Sequence, residues 1–261
     1  QRKNTKLPER VIYSSHLDEG EGEHKIFQFI REDKLIPGEG AHVLYGLDSD
    51  LIILSLLCDL SGIYLMREDY TELINVDTLR KKVKEKFRFA GADEDRIIKD
   101  FSIICMFAGN DFLPKLPSYT DIGSFLALFT DYYKSNEKHI IGDDDNIDFA
   151  VLKDILSKFR KIEQTLLISI IVENKHKFPY PELKKCVDVK NQSLDTQRFT
   201  NLWYCKQFCP VSGKLAALYP NHAYYNEVEV GNMVIAFLKT CQWVYKYYTS
   251  GFKSVSNTHF Y

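Results

Sequence analysis

No stretch of the 261-residue chain reaches the ~18–20 consecutive apolar residues of a membrane-crossing helix, so no helical span is expected. Neither sign of charge dominates. With 34 Lys and Arg against 36 Asp and Glu, the formal net charge is −2, which excludes a general electrostatic pull toward nucleic acid. Binding of that kind would have to come from local basic surface or from metal ions. Glycine and proline number only 13 and 8, and no low-complexity tract interrupts the chain, so extended disorder is not expected. A second close cysteine pair is also lacking. Cys205, Cys209 and the distant His222 therefore do not complete a four-ligand zinc site, and Cys58, Cys105, Cys186, Cys205, Cys209 and Cys241 read as free thiols in a reducing compartment. The polar opening "QRKNTKLPER" lacks the apolar core of a signal peptide. It also lacks an initiating Met, so the chain is read as a fragment.

What is present is 45% hydrophobic residues, enough for a sizeable core. "RVIYSS" (10–15) is β-branched and aromatic and predicts a strand. A Glu/Gly loop follows, then "EHKIFQFIRE", with Ile26, Phe27, Phe29 and Ile30 on a helical face. "HVLYGLDSDLIILSLL" predicts a strand over 42–46, a turn at Gly46 and Asp48, and a helix from Asp50; "GIYLMRE" (62–68) predicts a further strand. "DEDRIIKDFSIICMFAG" (93–109) predicts a helix capped by Asp93 and stopped at Gly109. Strand–helix alternation of this kind argues for an α/β fold with a mixed, mainly parallel sheet flanked by helices. Beyond residue 135 the alternation gives way to long helical patterns. The expected division is therefore an α/β core over 1–135 and a mostly helical region over 136–261 packed on it.

Acidic residues recur where the backbone turns. Glu21 and Glu23 follow the first predicted strand, Asp48 and Asp50 follow the second, and Asp111 follows the helix ending at Gly109. In open α/β sheets, the carboxyl ends of the strands form the ligand-binding crevice. Five carboxylates gathered there would raise one another's pKa and oppose folding. A hard divalent cation, Mg²⁺ or Mn²⁺, removes that repulsion, and a pair of them can support phosphodiester cleavage. Each acid also has a plainer reading. Asp50 alone serves as a helix N-cap, Asp111 as an Asx turn, and His24 as a hydrogen-bonded structural histidine. Glu39 in "PGEGAH" reads as a decoy turn, and Asp143–Asp145 as a solvated acidic loop. The ordered set shifts the balance.

"GEGEHKI" (20–26), "YGLDSDLIIL" (45–54) and "GNDFLP" (109–114) together resemble the Xrn-type 5′→3′ exoribonucleases, and "CQWVYKYYTSG" (241–251) resembles that family's QWV-x-x-YY-x-x-G helix. The resemblance implies a PIN/flap-nuclease-like core and Mg²⁺- or Mn²⁺-dependent hydrolysis of RNA bearing a 5′-monophosphate. It implies Glu21, Glu23, Asp48, Asp50 and Asp111 as metal-binding catalytic residues, and Lys25 as a residue near the substrate phosphate. Glu19 stands where the family has Pro, and "SNTHFY" (256–261) replaces the family's Trp-rich "SWxW" run. The family's amino-terminal half, with further aspartates and a basic phosphate-gripping helix, is not among these residues; that half is the implied partner, and the fragment alone is expected to be inactive. An intracellular, cytoplasmic location is the accompanying expectation. An inactive nuclease-like scaffold and a flap-type DNA nuclease are the competing functions.

Overall fold

The computed structural model describes residues 10–32, 40–67, 72–119, 122–173, 181–208 and 226–256. The strand predicted over 10–15 does not form. Val11, Ile12 and Tyr13 are 77%, 54% and 85% exposed, so nothing buries the apolar side chains that a strand would need to cover. Asp18 organises a turn instead, accepting from the Ser15 amide at 2.7 Å and the Ser14 hydroxyl at 3.1 Å. Helix α1 (Gly22–Arg31) follows. Of its expected face, Phe27 is buried and Ile30 packs against the core, but Ile26 is 41% exposed and His24 is buried in addition. The cause is docking against the end of the last helix, where the Arg31 guanidinium donates to the Tyr248 carbonyl at 2.7 Å. Glu39 lies outside the described residues.

Strand β1 (His42–Tyr45), helix α2 (Asp50–Leu57) and strand β2 (Ile63–Met66) form a strand–helix–strand unit, with β1 and β2 parallel in the register Leu44↔Leu65. Strand β3 (Leu73–Asn75) adds to β2 antiparallel, Leu65↔Ile74. The described sheet is thus mixed, in the order β1-β2-β3, with one parallel and one antiparallel pairing. Helix α2 is apolar on nearly every side and buries Leu51, Leu54 and Leu56. Its last turn leaves carbonyls without intrahelical donors. Arg80, from helix α3 (Val76–Phe87), donates to the carbonyls of Ser55, Leu56 and Cys58 and closes that end.

Helix α4 (Glu94–Met106) starts as the sequence predicts, Asp93 accepting from the Asp95 and Arg96 amides. Gly109 ends it at φ +88°, a conformation other residues rarely adopt; a Cβ there would stand 2.9 Å from the Lys115 nitrogen. Helices α5 (Ile122–Asn136) and α6 (Phe149–Glu173), a hairpin of β4 (Val187–Asp188) and β5 (Ser193–Leu194), α7 (Thr196–Phe208) and α8 (Glu227–Ser250) complete the described elements. No described helix is long and apolar enough to cross a membrane.

The main hydrophobic cluster runs from Phe27 through α2, β2, α3, α4, α5 and the first half of α6 to Val244, Tyr245 and Tyr248 of α8. A second cluster joins Leu167 and Ile171 of α6 to Cys186, Leu194, Phe199, Leu202 and Cys205. Within the acidic run at 143–145, Asp143 and Asp144 are exposed as a solvated loop would have them, and Asp145 is the exception. Asp143 pairs with Arg96 at 2.6 Å, and Asp145 accepts from Lys99 (2.7 Å), Tyr245 (2.6 Å) and Lys246 (2.9 Å). At φ +57°, the Asp145 backbone turns left-handed and inserts the carboxylate between α4 and α8. Hydrogen bonds and opposite charge outweigh the burial that pushes its pKa up, holding the group at about 2.

Candidate active site

Three turns carry the five acids. Glu21 is the N-cap residue of α1, in extended conformation, but its side chain makes no cap bond; Glu23 lies in the first turn of the same helix. Asp48 stands just before α2 and its carboxylate accepts from the Asp50 amide at 3.0 Å. Ser49 is the N-cap residue of α2, so Asp50, the first helical residue, does not cap the helix as its plainer reading required. Its carboxylate turns instead to the Tyr248 hydroxyl, which donates a short hydrogen bond to it. In the third turn the Asx role falls to Asn110, which accepts from the amides of Phe112 (2.9 Å) and Leu113 (2.8 Å) and leaves Asp111 out of that arrangement.

These turns are far apart in sequence but share one electrostatic environment. Burial pushes the Glu21 carboxyl above its ordinary range, and the charges of Glu23, Asp111 and Asp50 push it the same way, against a hydrogen bond from Tyr247. Burial likewise raises Asp50, opposed by the Tyr248 hydrogen bond and reinforced by Asp48, Asp111 and Glu23. The charges of Glu23 and Asp111 thus reach both Glu21 and Asp50, while Asp48 acts on Asp50. Among the described residues, no three His, Cys, Asp or Glu side chains are grouped closely enough to hold a metal ion. The donor set nevertheless suits one chemically: it consists of hard carboxylate oxygens under mutual repulsion, the environment that favours Mg²⁺ or Mn²⁺ over a soft metal.

His24 lies beneath Glu21, fully buried and stacked on the Tyr247 ring at 3.8 Å between centroids. Neither ring nitrogen has a hydrogen-bond partner. Its structural role is therefore packing, not the hydrogen bonding read from the sequence. Nε2 stands 3.6 Å from Glu21 Oε2, within ion-pair distance. Burial, followed by the Arg31 charge, lowers the imidazole pKa to about 4, so at neutral pH the contact joins a neutral ring to a carboxylate. Lys25 donates to the Ser15 carbonyl at 2.7 Å and braces the preceding loop. Cys209 and His222 lie outside the described residues, while Cys58, Cys105, Cys186 and Cys241 are free thiols.

Sequence reasoning missed the tyrosines. The 241–251 helix reads as an aromatic core stripe, and the stripe does pack: Phe112 lies 5.2 Å from Trp243 and 5.4 Å from Tyr247, ring to ring. The available signal was the polar tip of Tyr, which when buried needs an acceptor. Tyr247 and Tyr248 find theirs in Glu21 (3.3 Å) and Asp50.

Two family descriptions match the chain, "XRN 5'-3' exonuclease N-terminus" over residues 3–69 and "Xrn1 helical domain" over residues 91–202. Among curated relatives, the 5′-3′ exoribonuclease 2 of Yarrowia lipolytica is 33% identical over 184 residues, covering 61% of this chain and 18% of that protein. The 5′-3′ exoribonuclease 1 of Schizosaccharomyces pombe is 32% identical over 201 residues, covering 64% of this chain and 15% of the relative. The human 5′-3′ exoribonuclease 1 is 34% identical over 134 residues, covering 41% and 8%. The matched region thus spans 18% or less of each of these relatives' length. The acid-bearing turns Glu21/Glu23 and Asp48/Asp50 lie inside the first match and Asp111 inside the second; with both matches and these relatives, the chain belongs to the Xrn-type 5′→3′ exoribonuclease family.

Proposed function

We propose that these residues form part of a divalent-metal-dependent 5′→3′ exoribonuclease that hydrolyses RNA bearing a 5′-monophosphate. The observation that supports this reading is that Glu21 and Asp50, on separate turns, are both raised by burial and by the charges of Glu23 and Asp111, and are both bonded by adjacent tyrosines of one helix. These five carboxylates would hold Mg²⁺ or Mn²⁺, which when bound would polarise the phosphate and activate water. The chain's own contribution is to hold the carboxylates in place without spending their charge on helix caps. Asp48 accepts the Asp50 amide, Asn110 closes the third turn, and two tyrosines donate to Glu21 and Asp50. Full burial keeps His24 neutral beside Glu21, so it adds no positive charge to compete with a cation. Lys25, two residues after Glu23 on α1, is the proposed contact to the substrate phosphate.

The same reading extends the sheet. The outward side chains Val43 and Tyr45 of β1 are 50% and 53% exposed, and β1 pairs only with β2 among the described residues. We infer that further strands, supplied by the amino-terminal half of the nuclease, continue it as a mainly parallel PIN/flap-like sheet. The 1–135 core and 136–261 helical region then act as one body, supported by the hydrophobic cluster that α8 shares with α2 and α4. A reducing cytoplasmic location belongs to the same proposal, supported by the free thiols.

The test is degradation of 5′-monophosphorylated RNA by the intact natural protein with Mg²⁺. Loss of cleavage in the Glu23→Gln, Asp50→Asn double variant is expected. Full cleavage by that variant, or a preference for flap DNA over the RNA, would overturn the reading.

A further inference from the structure

Helix α8 touches all three acid-bearing turns within six residues. Trp243 and Tyr247, four apart and so on one helical face, clasp Phe112, the residue following Asp111. Tyr247 also donates to Glu21 Oε2 at 3.3 Å, while Tyr248, about 100° further round the helix, donates to Asp50 Oδ2. Between them, Tyr245 and Lys246 fasten the helix to Asp145. A buried tyrosine usually needs only one acceptor, and a nearby backbone carbonyl would serve. Two adjacent tyrosines bonding acids of two different turns is a more specific arrangement.

We propose that Tyr247 and Tyr248 are positioning residues that set the spacing between the Glu21/Glu23 turn and the Asp48/Asp50 turn, and thereby the affinity of the site for its divalent cation. This rests on the metal-dependent reading above and names the device that tunes it. Each phenol donates to one carboxylate oxygen, Oε2 of Glu21 and Oδ2 of Asp50. Because both donors sit on one rigid helical turn, the separation of the two turns is fixed by the helix and not by flexible loops. Mutual repulsion of the acids would otherwise drive the turns apart. Partners of this kind around a metal site orient its ligands, and their removal typically weakens binding about 10–100-fold.

The experiment titrates Mn²⁺ into the intact natural protein by electron paramagnetic resonance and follows thermal unfolding of the same samples. Tyr247→Phe and Tyr248→Phe keep the rings, including the stack on His24, and remove only the hydroxyls. Tyr245→Phe is the control, because it too loses a hydroxyl bond to a carboxylate, that of Asp145, away from the acid turns. The expected result is Mn²⁺ binding weakened about tenfold or more in the Tyr247→Phe, Tyr248→Phe double variant, and unchanged in Tyr245→Phe. A purely structural role would lower the melting temperature in both while leaving Mn²⁺ affinity alike, which would overturn the inference. Wild-type protein that binds Mn²⁺ while the double variant binds it equally well would refute the tyrosine role alone. Wild-type protein that binds no Mn²⁺ would refute both this inference and the metal-dependent reading.

Discussion

Replacing Asp100 tests whether a buried polar network fastens α4 to α5 and to the segment 139–141. Asp100, on α4, is fully buried and accepts three hydrogen bonds: a short one from the Tyr133 hydroxyl, one from His139 Nδ1 at 2.7 Å, and one from the Ile141 amide at 2.7 Å. The Asp93 amide donates to His139 Nε2 at 3.1 Å, so that nitrogen carries no proton and Nδ1 is the donor to Asp100. Asp100→Ala strands three buried donors, each costing about 1–3 kcal/mol. The costs overlap, and a total of about 3–5 kcal/mol is expected. For a chain of this size, about 2–4 °C is lost per kcal/mol, giving a fall in Tm of about 6–20 °C. Asp100→Asn is intermediate. Its carbonyl still accepts from Ile141, but its amide faces the His139 donor, which cannot change tautomer without giving up Asp93. The cost is then about 1–3 kcal/mol. Differential scanning calorimetry on the three proteins should rank wild type above Asp100→Asn above Asp100→Ala. An Asp100→Ala protein melting within about 2 °C of wild type, less than 1 kcal/mol, would refute the assignment of this network as a stabilising anchor.

Gly109→Ala is expected to destabilise, because φ +88° costs an alanine about 1–2 kcal/mol before any clash with Lys115 is counted; the urea midpoint measures it. Asp145 has a depressed folded pKa of about 2, so its contribution is present above the usual carboxylate pKa and is lost as pH falls toward about 2. The stability gap between wild type and Asp145→Asn, about 1 kcal/mol after allowing for exposure, should be full at pH 6 and shrink below pH 4 in urea titrations. Glu21 and Asp50 run the other way: folded pKa values above the ordinary range mean a stability cost at high pH that is relieved as pH falls through them. In chelator, Asp50→Asn should therefore melt no lower than wild type, apart from the Tyr248 bond it weakens. Adding Mn²⁺ should raise the wild-type Tm and not that of the Glu23→Gln, Asp50→Asn variant.

Much of the α/β part was legible because its signals are local. Asp93 at the start of α4, Gly109 at its end, and the apolar run Leu51–Leu57 each specify their own turn of backbone. Strand β2 was readable because both its faces are apolar. "RVIYSS" misled because strand formation depends on a neighbour, and β propensity alone does not supply one. The face of α1 was only partly anticipated, Phe27 and Ile30 but not His24, for a related reason. Its register is set by Arg31 and His24 packing against a helix more than 200 residues away, which no periodicity within α1 encodes. At the site, the acids were readable as an ordered set of turns. Their partners were not, because the contacts of Tyr247 with Glu21 and Tyr248 with Asp50 join residues 226 and 198 positions apart. In the Asp143–Asp145 run only Asp145 escaped the solvated reading, because its partners Lys99, Tyr245 and Lys246 lie on helices that no local pattern connects to it.

Contacts of such long sequence separation fix an order of events during synthesis. Everything from Glu21 to Asp111 leaves the ribosome well before Tyr247 and Tyr248 do, and at roughly 5–20 residues per second the delay is on the order of ten seconds. Throughout that interval the acid-bearing loops lack the helix that holds them in register. A nascent chain therefore carries these acids on separate turns until α8 has emerged and packed against them.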